Sequence, residues 1–446
     1  MKDCMSTGST NDNQNAAENY NRGFVYSCLG EHDKAIAEFT KIIRLAPTNT
    51  VAYFARGYLY TRKHEYDNAI ADFTEIIRVN PNDALAYIGR GNAYYNDDKE
   101  EYDEAIADFT EAIRINPNEY FAYSSRGNAH YNKGEYDKAI ADFTEIIQTN
   151  PDDANSYISR GLSYGSKGDY ETAIADITGA IRLDKKSAVA YYNRGNTYAR
   201  NGECDKAIVD YSEAIRLNPD DANTYNNRGL IYGSKGDYER AIDDFTNAIR
   251  FDPKCVGAYI NRGTTYAKKG EYDKAIVDFT KAIRLVPENA VGYVKRGYVY
   301  AKKGEYDKVI ANFTEVIDIS PDDNIVANGY FERGVAYTKK AASMETYQNG
   351  LDKAIADFTE AIQLAPADFP KFCDIYYLRG LAYAGKGEYD KAITDYTEAI
   401  LTAPTKFPYL SKLYYFRGLA YVKTGNEAKA EADFARANEL GYESDE

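Results

Sequence analysis

The three histidines are the first residues to examine for catalytic or metal-binding chemistry. His130 stands where a tyrosine recurs elsewhere in the chain, and His32 and His64 lie at predicted turns. A metal site needs several converging ligands, and none of the three has a second histidine or a cysteine at a metal-ligand spacing. We therefore expect no metal site.

The five cysteines are an odd number and are widely separated. They are Cys4, Cys28, Cys204, Cys255 and Cys373, and no C-x-x-C pair occurs. This pattern predicts neither a disulfide framework nor a zinc site. Cysteines used in this way favour a reducing compartment, so we predict a cytoplasmic protein.

The sequence contains no motif typical of the other common kinds of catalytic site. The acidic residues recur at regular spacing on predicted helix faces, and the glycines recur with them instead of forming a phosphate-binding loop. No nucleophile motif is present. We predict a protein that is not an enzyme and uses no cofactor.

Charge and hydropathy argue against further classes of protein. The formal net charge is −15, which argues against a protein that binds nucleic acid through clustered Lys and Arg. No apolar run approaches the roughly 18–20 residues needed to span a bilayer. The first residues, 1–15, are polar and lack the pattern of a signal peptide, so we expect a disordered tail there.

The elements that must position any site are indicated by a repeated Arg-Gly dipeptide. Its glycine recurs at intervals of 34 residues, with 36, 37, 46 and 38 at four places. The positions are Gly23, Gly57, Gly91, Gly127, Gly161, Gly195, Gly229, Gly263, Gly297, Gly334, Gly380 and Gly418. A fixed period of this length is typical of a solenoid, in which each unit buries its apolar face against its neighbours.

Residues 220–253 show the physics of one unit. Asp220 or Asp221 can cap a first helix that ends at Gly236, and a second amphipathic helix ends before Pro253. Gly229 lies inside the first helix, where glycine costs about 1 kcal/mol relative to alanine. Its recurrence therefore requires a close helix–helix contact, for which we expect Ala241 on the second helix.

This pattern resembles the tetratricopeptide repeat. With the glycine numbered as position eight, position four is Tyr except at Asn19, position eleven is Tyr except at His130, and position twenty is Ala except at Val309. The resemblance implies an all-α, right-handed α-solenoid of twelve helix-turn-helix repeats. We number them one to twelve, with bounds 16–49, 50–83, 84–119, 120–153, 154–187, 188–221, 222–255, 256–289, 290–326, 327–372, 373–410 and 411–446.

One departure from the family pattern concerns charged residues. Position seven is Arg in every repeat, and position twenty-three is Asp in ten repeats, with Glu38 and Asn312 as the exceptions. The two positions lie on facing helices, which predicts an Arg–Asp ladder, for example between Arg228 and Asp244. Exposed pairs of this kind contribute about 0–1 kcal/mol each. The alternative is that the arginines line a ligand channel.

Candidate binding residues come from positions that the resemblance places on the concave surface. Asn193, Asn227 and Asn261 occupy position six of three successive repeats, and an amide can donate and accept hydrogen bonds with a peptide backbone. The resemblance implies an asparagine ladder for an extended peptide. Neighbouring candidates are Asn196, Asn92, Asn128, Tyr192 and Asn226.

Toward the carboxyl end, aromatic residues replace the polar ones on this surface. Tyr377, Tyr415 and Phe416, with Phe331 and Leu378, could form an apolar pocket for a ligand side chain. Alternatively, they support the last repeats, which are lengthened by insertions. The lysines of the family's carboxylate clamp are absent from position five, which disfavours a partner of chaperone tails.

Insertions interrupt the period within residues 338–353, near 97–101, and ahead of the first helix in repeats eleven and twelve. They are either binding elements or tolerated loop length.

These observations leave two hypotheses for function. The first is a non-catalytic scaffold or adaptor that binds an extended peptide or a partner protein on its concave surface. The alternative is a structural subunit of a multiprotein assembly or homo-oligomer that uses the solenoid ends and convex faces. The oligomeric state stays open, and we expect neither nucleic acid nor a membrane span among the partners.

Overall fold

The chain is built of paired α-helices. The computed structural model describes residues 10–96, 101–341, 347–366, 368–404 and 407–442. These residues form 24 α-helices and contain no β-strand, which confirms the predicted all-α solenoid fold. The helices group into two compact units, Met1–Pro219 and Asp220–Glu446.

The first unit contains six helix pairs. Its helices are α1 Thr10–Cys28, α2 His32–Leu45, α3 Thr50–Arg62, α4 Tyr66–Val79, α5 Ala84–Asn96, α6 Tyr102–Ile115, α7 Tyr120–Asn132, α8 Tyr136–Thr149, α9 Ala154–Lys167, α10 Tyr170–Leu183, α11 Ala188–Arg200 and α12 Cys204–Leu217.

The second unit also contains six pairs. Its helices are α13 Ala222–Ser234, α14 Tyr238–Phe251, α15 Val256–Lys268, α16 Tyr272–Leu285, α17 Ala290–Lys303, α18 Tyr306–Ile319, α19 Asp323–Ala341, α20 Tyr347–Leu364, α21 Phe372–Gly385, α22 Tyr389–Thr402, α23 Leu410–Lys423 and α24 Glu427–Glu439.

The pair α13–α14 shows how local sequence sets the helix ends. The carboxylate of Asp221 accepts a hydrogen bond from the backbone N–H of Asn223 and so caps α13. Gly236 has a φ of +80°, a conformation that glycine adopts without strain, and it turns the chain into α14. The sequence predicts both features.

The recurring glycine admits an aromatic ring of the second helix. A Cβ at Gly229 would lie 2.8 Å from Cε1 of Phe245, which is buried in α14. The alanine at position twenty also lies at this helix contact. In repeat five the Ala173 carbonyl oxygen would be 3.1 Å from a Cβ at Gly161, and in repeat seven Ala241 would be 3.8 Å from a Cβ at Gly233. A ring at position twenty-four reaches further across the helix contact than the alanine at position twenty.

The predictions for the amino-terminal tail and for the insertions have different outcomes. The predicted tail is helical from Thr10 onward, because a polar helical turn has no apolar periodicity to reveal it. In repeat ten, part of the insertion lengthens α19 and α20 to 19 and 18 residues. Residues 1–9, 97–100 and 342–346, on which the rest of these predictions fall, lie outside the described residues.

Candidate functional site

Successive first helices lie side by side within each unit. In the first unit α3, α5, α7, α9 and α11 contact one another in order, and in the second unit α13, α15 and α17 do so, as do α19 and α21. We call the surface formed by these helices, at positions two, five, six, nine, twelve and thirteen of each repeat, the inner face.

The arginines at position seven pair with the side chains at position twenty-three, as predicted. Arg228 donates from Nε and Nη2 to Asp244, at 2.8 and 2.7 Å. The same two-bond pairing joins Arg56–Asp72, Arg90–Asp108, Arg126–Asp142, Arg160–Asp176, Arg194–Asp210, Arg262–Asp278, Arg333–Asp357, Arg379–Asp395 and Arg417–Asp433. The Arg–Asp ladder is confirmed.

These pairs are more buried than the sequence predicts. The Asp72 side chain is 5% exposed and that of Arg56 is 16% exposed. Burial raises the pKa of Asp72, while the bonded carboxylate raises the pKa of Arg56, so desolvation offsets part of the attraction. The contribution to stability that is expected of exposed ion pairs therefore does not apply to these buried pairs.

Ten of the arginines also bind a threonine of the preceding repeat, a contact that is not among the predictions. Arg56 Nη1 donates to Oγ1 of Thr40, at 2.9 Å. The equivalent bonds are Arg90–Thr74, Arg126–Thr110, Arg160–Thr144, Arg194–Thr178, Arg262–Thr246, Arg296–Thr280, Arg333–Thr314, Arg379–Thr359 and Arg417–Thr397. A threonine at position twenty-five in repeat after repeat was the signal for it.

The guanidinium groups are therefore occupied inside the solenoid. Arg56 also lies 5.7 and 5.8 Å from the ring centroids of Tyr53 and Tyr60. This arrangement favours a structural role over the alternative of a ligand channel lined by arginines.

Repeats one and nine depart from the Arg–Asp pairing. Arg22 pairs with Glu38 at 3.2 Å, which keeps the charge balance. In repeat nine, Arg296 Nε donates to the amide oxygen of Asn312 at 2.9 Å, so the arginine there has no carboxylate from position twenty-three.

The predicted binding asparagines of the second unit lie together on the inner face. Asn261 Nδ2 donates to Oδ1 of Asn226 in the preceding repeat at 2.9 Å, and Asn226 Nδ2 is 3.4 Å from Oδ1 of Asn227. All three side chains are half-buried. Repeats seven and eight thus use amides at positions five and six for their own packing, a contact that is not among the predictions.

The predicted asparagines of the first unit have varied surroundings. Asn128 is exposed, whereas Asn92, Asn193 and Asn196 are half-buried. Asn196 accepts a hydrogen bond from the Tyr211 hydroxyl at 2.7 Å. Tyr192 lies over the same tyrosine, with ring centroids 6.1 Å apart. Asn196 and Tyr192 therefore contribute to the packing of repeat six.

The aromatic residues of the last repeats pack on the chain itself. Tyr377 stacks on Tyr409 with centroids 6.3 Å apart, and Tyr415 stacks on Tyr442 at 4.2 Å. Phe416 lies over the buried ring of Tyr396 at 6.4 Å.

Phe331 is covered in the same manner. The inserted segment ahead of α21 brings Lys371 Nζ to 4.6 Å from the Phe331 centroid, and Leu378 packs against the same buried cluster. Tyr409 likewise comes from the segment ahead of α23. The structure thus favours the second alternative, in which these rings support the lengthened repeats.

Exposed aromatic residues occur on the first two odd-numbered helices of the first unit. Tyr20 and Phe24 on α1 are 40% and 58% exposed, and Phe54 and Tyr58 on α3 are 36% and 51% exposed. They are not among the predicted binding residues, although aromatics at positions five and nine of repeats one and two were readable in the sequence.

Among the described residues, no group of three His, Cys, Asp or Glu is arranged to hold a metal ion. Within those residues, no helix has the length and apolar character to cross a membrane.

Sequence models of one family match most of the chain. Models described as TPR repeat match residues 164–202, 200–236 and 263–304. Models described as tetratricopeptide repeat match 16–49, 54–120, 120–153, 222–255, 290–323, 373–406 and 411–440. No curated protein matches the sequence.

Several solved structures are similar to parts of the chain. A structure of MamA is 31% identical, covers 36% of this chain and 93% of its own, and has a TM-score of 0.34. Yeast Tom70 is 15% identical over 93% of this chain and 97% of its own, with a TM-score of 0.41. A tetratricopeptide repeat protein from Parabacteroides merdae is 20% identical over 62% of this chain and 98% of its own, with a TM-score of 0.41. On the strength of the sequence matches and the repeated helix pairs, this chain belongs to the tetratricopeptide repeat family.

Proposed function

We propose that the protein is a non-catalytic interaction scaffold that binds an extended segment of a partner protein on its inner face. The observation that carries this proposal is the amide pair of Asn226 and Asn261. Asn261 donates one N–H to Asn226, so its second N–H and its carbonyl oxygen stay available to a ligand.

Recognition of backbone groups fits this chemistry. An extended peptide presents one N–H and one C=O per residue, and side-chain amides can pair with both. The internal bond fixes the rotamer of Asn261, which lowers the entropy lost when a ligand binds. Asn193, Asn227 and Asn261 remain the proposed backbone contacts, and Asn92 and Asn128 are proposed as further contacts.

The exposed aromatic residues of repeats one and two extend the proposed surface. Tyr20, Phe24, Phe54 and Tyr58 offer apolar area of the kind that supplies much of the binding energy in protein interfaces. Tyr377, Tyr415 and Phe416 are half-buried with one ring face packed on other residues of the chain, so we propose them only as secondary ligand contacts.

Peptides selected from a random-sequence display library against the full chain provide the test. Replacing Asn193, Asn227 and Asn261 by Ala removes up to three hydrogen bonds of about 0.5–1.5 kcal/mol each. The affinity should fall roughly tenfold to a thousandfold. A small loss of stability should accompany it, because Asn226 loses its partner.

The matched control changes amides on second helices. Asn68 on α4 and Asn247 on α14 each donate one side-chain hydrogen bond to a residue of their own repeat, whereas Asn261 donates one to the preceding repeat. Asn68→Ala together with Asn247→Ala should leave peptide affinity unchanged. An equal loss in the control, or no loss in the inner-face variant, would refute the proposed surface.

A second candidate function is assembly through the first helix pair. Val25 on α1 and Leu29 directly after this helix are 53% and 66% exposed, in addition to the aromatics Tyr20 and Phe24 on α1. Exposed apolar patches of this kind often mark subunit contacts. Light scattering after size exclusion separates the two, because assembly predicts an oligomer that Val25→Ser with Leu29→Ser would dissociate.

We also propose that the protein works in the cytoplasm and does not bind nucleic acid. The cysteine pattern supports the first proposal, and the net charge of −15 supports the second.

A further inference from the structure

Repeats eight and nine carry exposed lysines on their first helices. Like the first helices of repeats two to seven, α15 and α17 contain no acidic residue that could balance these lysines. Lys268 on α15, Lys295 and Lys302 on α17, and Lys339 on α19 are all exposed. None of these four lysines has an ion-pair partner among the described residues.

The neighbouring lysines at position fourteen behave differently. Lys269 pairs with Glu239 at 2.6 Å, and Lys303 pairs with Asp273 at 2.7 Å, each across a repeat boundary. The repeats therefore use position fourteen for their own ion pairs. The charges of Lys268 and Lys302, one residue earlier, remain unbalanced.

Repeat nine adds a further positive charge from inside the helix pair. Arg296 is bonded to the neutral side chains of Asn312 at 2.9 Å and Thr280 at 3.0 Å, where the same position in neighbouring repeats has a carboxylate. The only acidic side chain on the inner face of α19, Glu332, accepts a hydrogen bond from Lys371 at 2.8 Å, which neutralises it.

The preference of helix ends for cations does not explain this pattern. The negative end of the helix dipole favours Lys268 and Lys302, which lie in the last turns of α15 and α17. It does not act on Lys295, which is the sixth residue of α17, or account for Asn312 on α18.

The spacing of these lysines suits an extended chain. Lys295 and Lys302 are seven residues apart on one helix, or about 10 Å at 1.5 Å per residue. Lys268 and Lys302 are equivalent residues on contacting helices, whose axes lie roughly 8–10 Å apart. A segment in the extended polyproline II conformation has three residues per turn and advances about 3.1 Å per residue. Acidic side chains at every third position therefore lie on one face, about 9 Å apart, and could meet successive lysines.

We propose that the inner face of α15, α17 and α19 binds an acidic, extended segment of a partner protein. This inference rests on the proposed scaffold function and adds the charge of the ligand. A long polyanion such as RNA fits less well, because the rest of this acidic chain repels it.

The probe is a fluorescein-labelled peptide with glutamate at every third position and glycine and serine between, compared with the same peptide carrying glutamine. Fluorescence anisotropy with the full chain should show binding of the glutamate peptide that weakens as salt rises. Lys295→Gln with Lys302→Gln should weaken this binding about twofold to thirtyfold. Lys281→Gln, at an exposed lysine of the second helix α16, is the control and should leave it unchanged.

A second pair of variants alters charge without touching an exposed lysine. Asn312→Asp gives Arg296 a carboxylate and should weaken binding about two- to threefold, and Asp278→Asn removes one from Arg262 and should strengthen it by a similar factor. Asn312 itself shows that the fold accepts an amide at this position.

The outcomes separate this inference from the scaffold function. Equal binding of the two peptides, or an unchanged affinity in the lysine double variant, overturns the acidic preference and leaves the scaffold proposal standing. Absence of any binding by the glutamate peptide also overturns it. Tighter binding of a single-stranded oligouridine than of the glutamate peptide would overturn it in favour of nucleic acid.

Discussion

Arg56 holds Asp72 with two hydrogen bonds across the helices of repeat two, from Nε at 2.8 Å and from Nη2 at 2.7 Å. Its third nitrogen, Nη1, reaches Thr40 of repeat one. One side chain thus fixes the geometry within a helix pair and between two pairs. Since this arrangement recurs along both units, it explains why arginine occupies position seven throughout.

Removing one partner of this pair should be costly. Arg56→Leu leaves the carboxylate of Asp72 buried without a counterion, so we expect a loss of about 2–4 kcal/mol in the free energy of unfolding. The double variant Arg56→Leu with Asp72→Leu removes both charges and should recover most of the loss. Urea unfolding followed by circular dichroism measures both, and a double variant less stable than the single one would contradict this account.

Two glycines of α13 should respond to alanine in opposite directions. Gly229→Ala places a Cβ 2.8 Å from the Phe245 ring, so we expect a loss of about 1–3 kcal/mol in unfolding free energy. Gly233→Ala meets only Ala241 at 3.8 Å and should gain about 0.4–1 kcal/mol. Thermal unfolding of the two variants compares them directly. If Gly229→Ala were the more stable of the two, the ring contact would not be what requires glycine.

His130 should make stability fall as the pH drops through the ordinary pKa of histidine, 6.5. Burial lowers the pKa of His130 in the folded protein below its ordinary 6.5. The unfolded chain therefore takes up a proton at a higher pH than the folded chain, and stability falls as the pH drops from the unfolded pKa toward the folded one.

His130→Tyr provides the comparison, because tyrosine occupies this position in the other repeats. The variant should lose less stability than the wild type between pH 7.5 and pH 5.5, as measured by the midpoint of thermal unfolding. The neighbouring Glu135 has its pKa lowered to about 2 and so does not titrate in this range. Equal pH dependence in the two proteins would refute the assignment.

Cys373 and Cys28 should differ in reactivity. Burial raises the pKa of the Cys373 thiol to about 12, and its Sγ donates to the Ala399 carbonyl oxygen at 3.3 Å. The thiolate is the reactive form, so iodoacetamide at pH 8 should modify the exposed Cys28 and spare Cys373 until urea is added. Mass spectrometry of the digested protein gives the result, and rapid labelling of Cys373 in the native chain would contradict the packing of repeat eleven.

The sequence alone predicts the features that depend on local chemistry. Asp221 as a cap and the Arg228–Asp244 pair follow from residue types at fixed spacing within one repeat. The bond from Arg56 to Thr40 could not be predicted in this way, because it depends on how one helix pair stacks on the next.

The candidate site was predicted less completely for the same reason. The aromatic character of Tyr377 and Tyr415 is visible in the sequence, but their coverage by Tyr409 and Tyr442 depends on the path of segments outside the regular helices. The hydrogen bond from Asn261 to Asn226 likewise joins two repeats. Contacts within a repeat can be read from the period, whereas contacts between repeats need the structure.

The central claim is that the first helices, and not the second, bind the partner segment. A photo-crosslinking amino acid at Tyr58, Asn128 or Lys268 on the inner face tests it against the same amino acid at Val209 or Val277, which are exposed on second helices. With a library-selected peptide bound to the full chain, we expect adducts from the inner-face positions and none from Val209 or Val277. Adducts confined to the second helices would contradict the account.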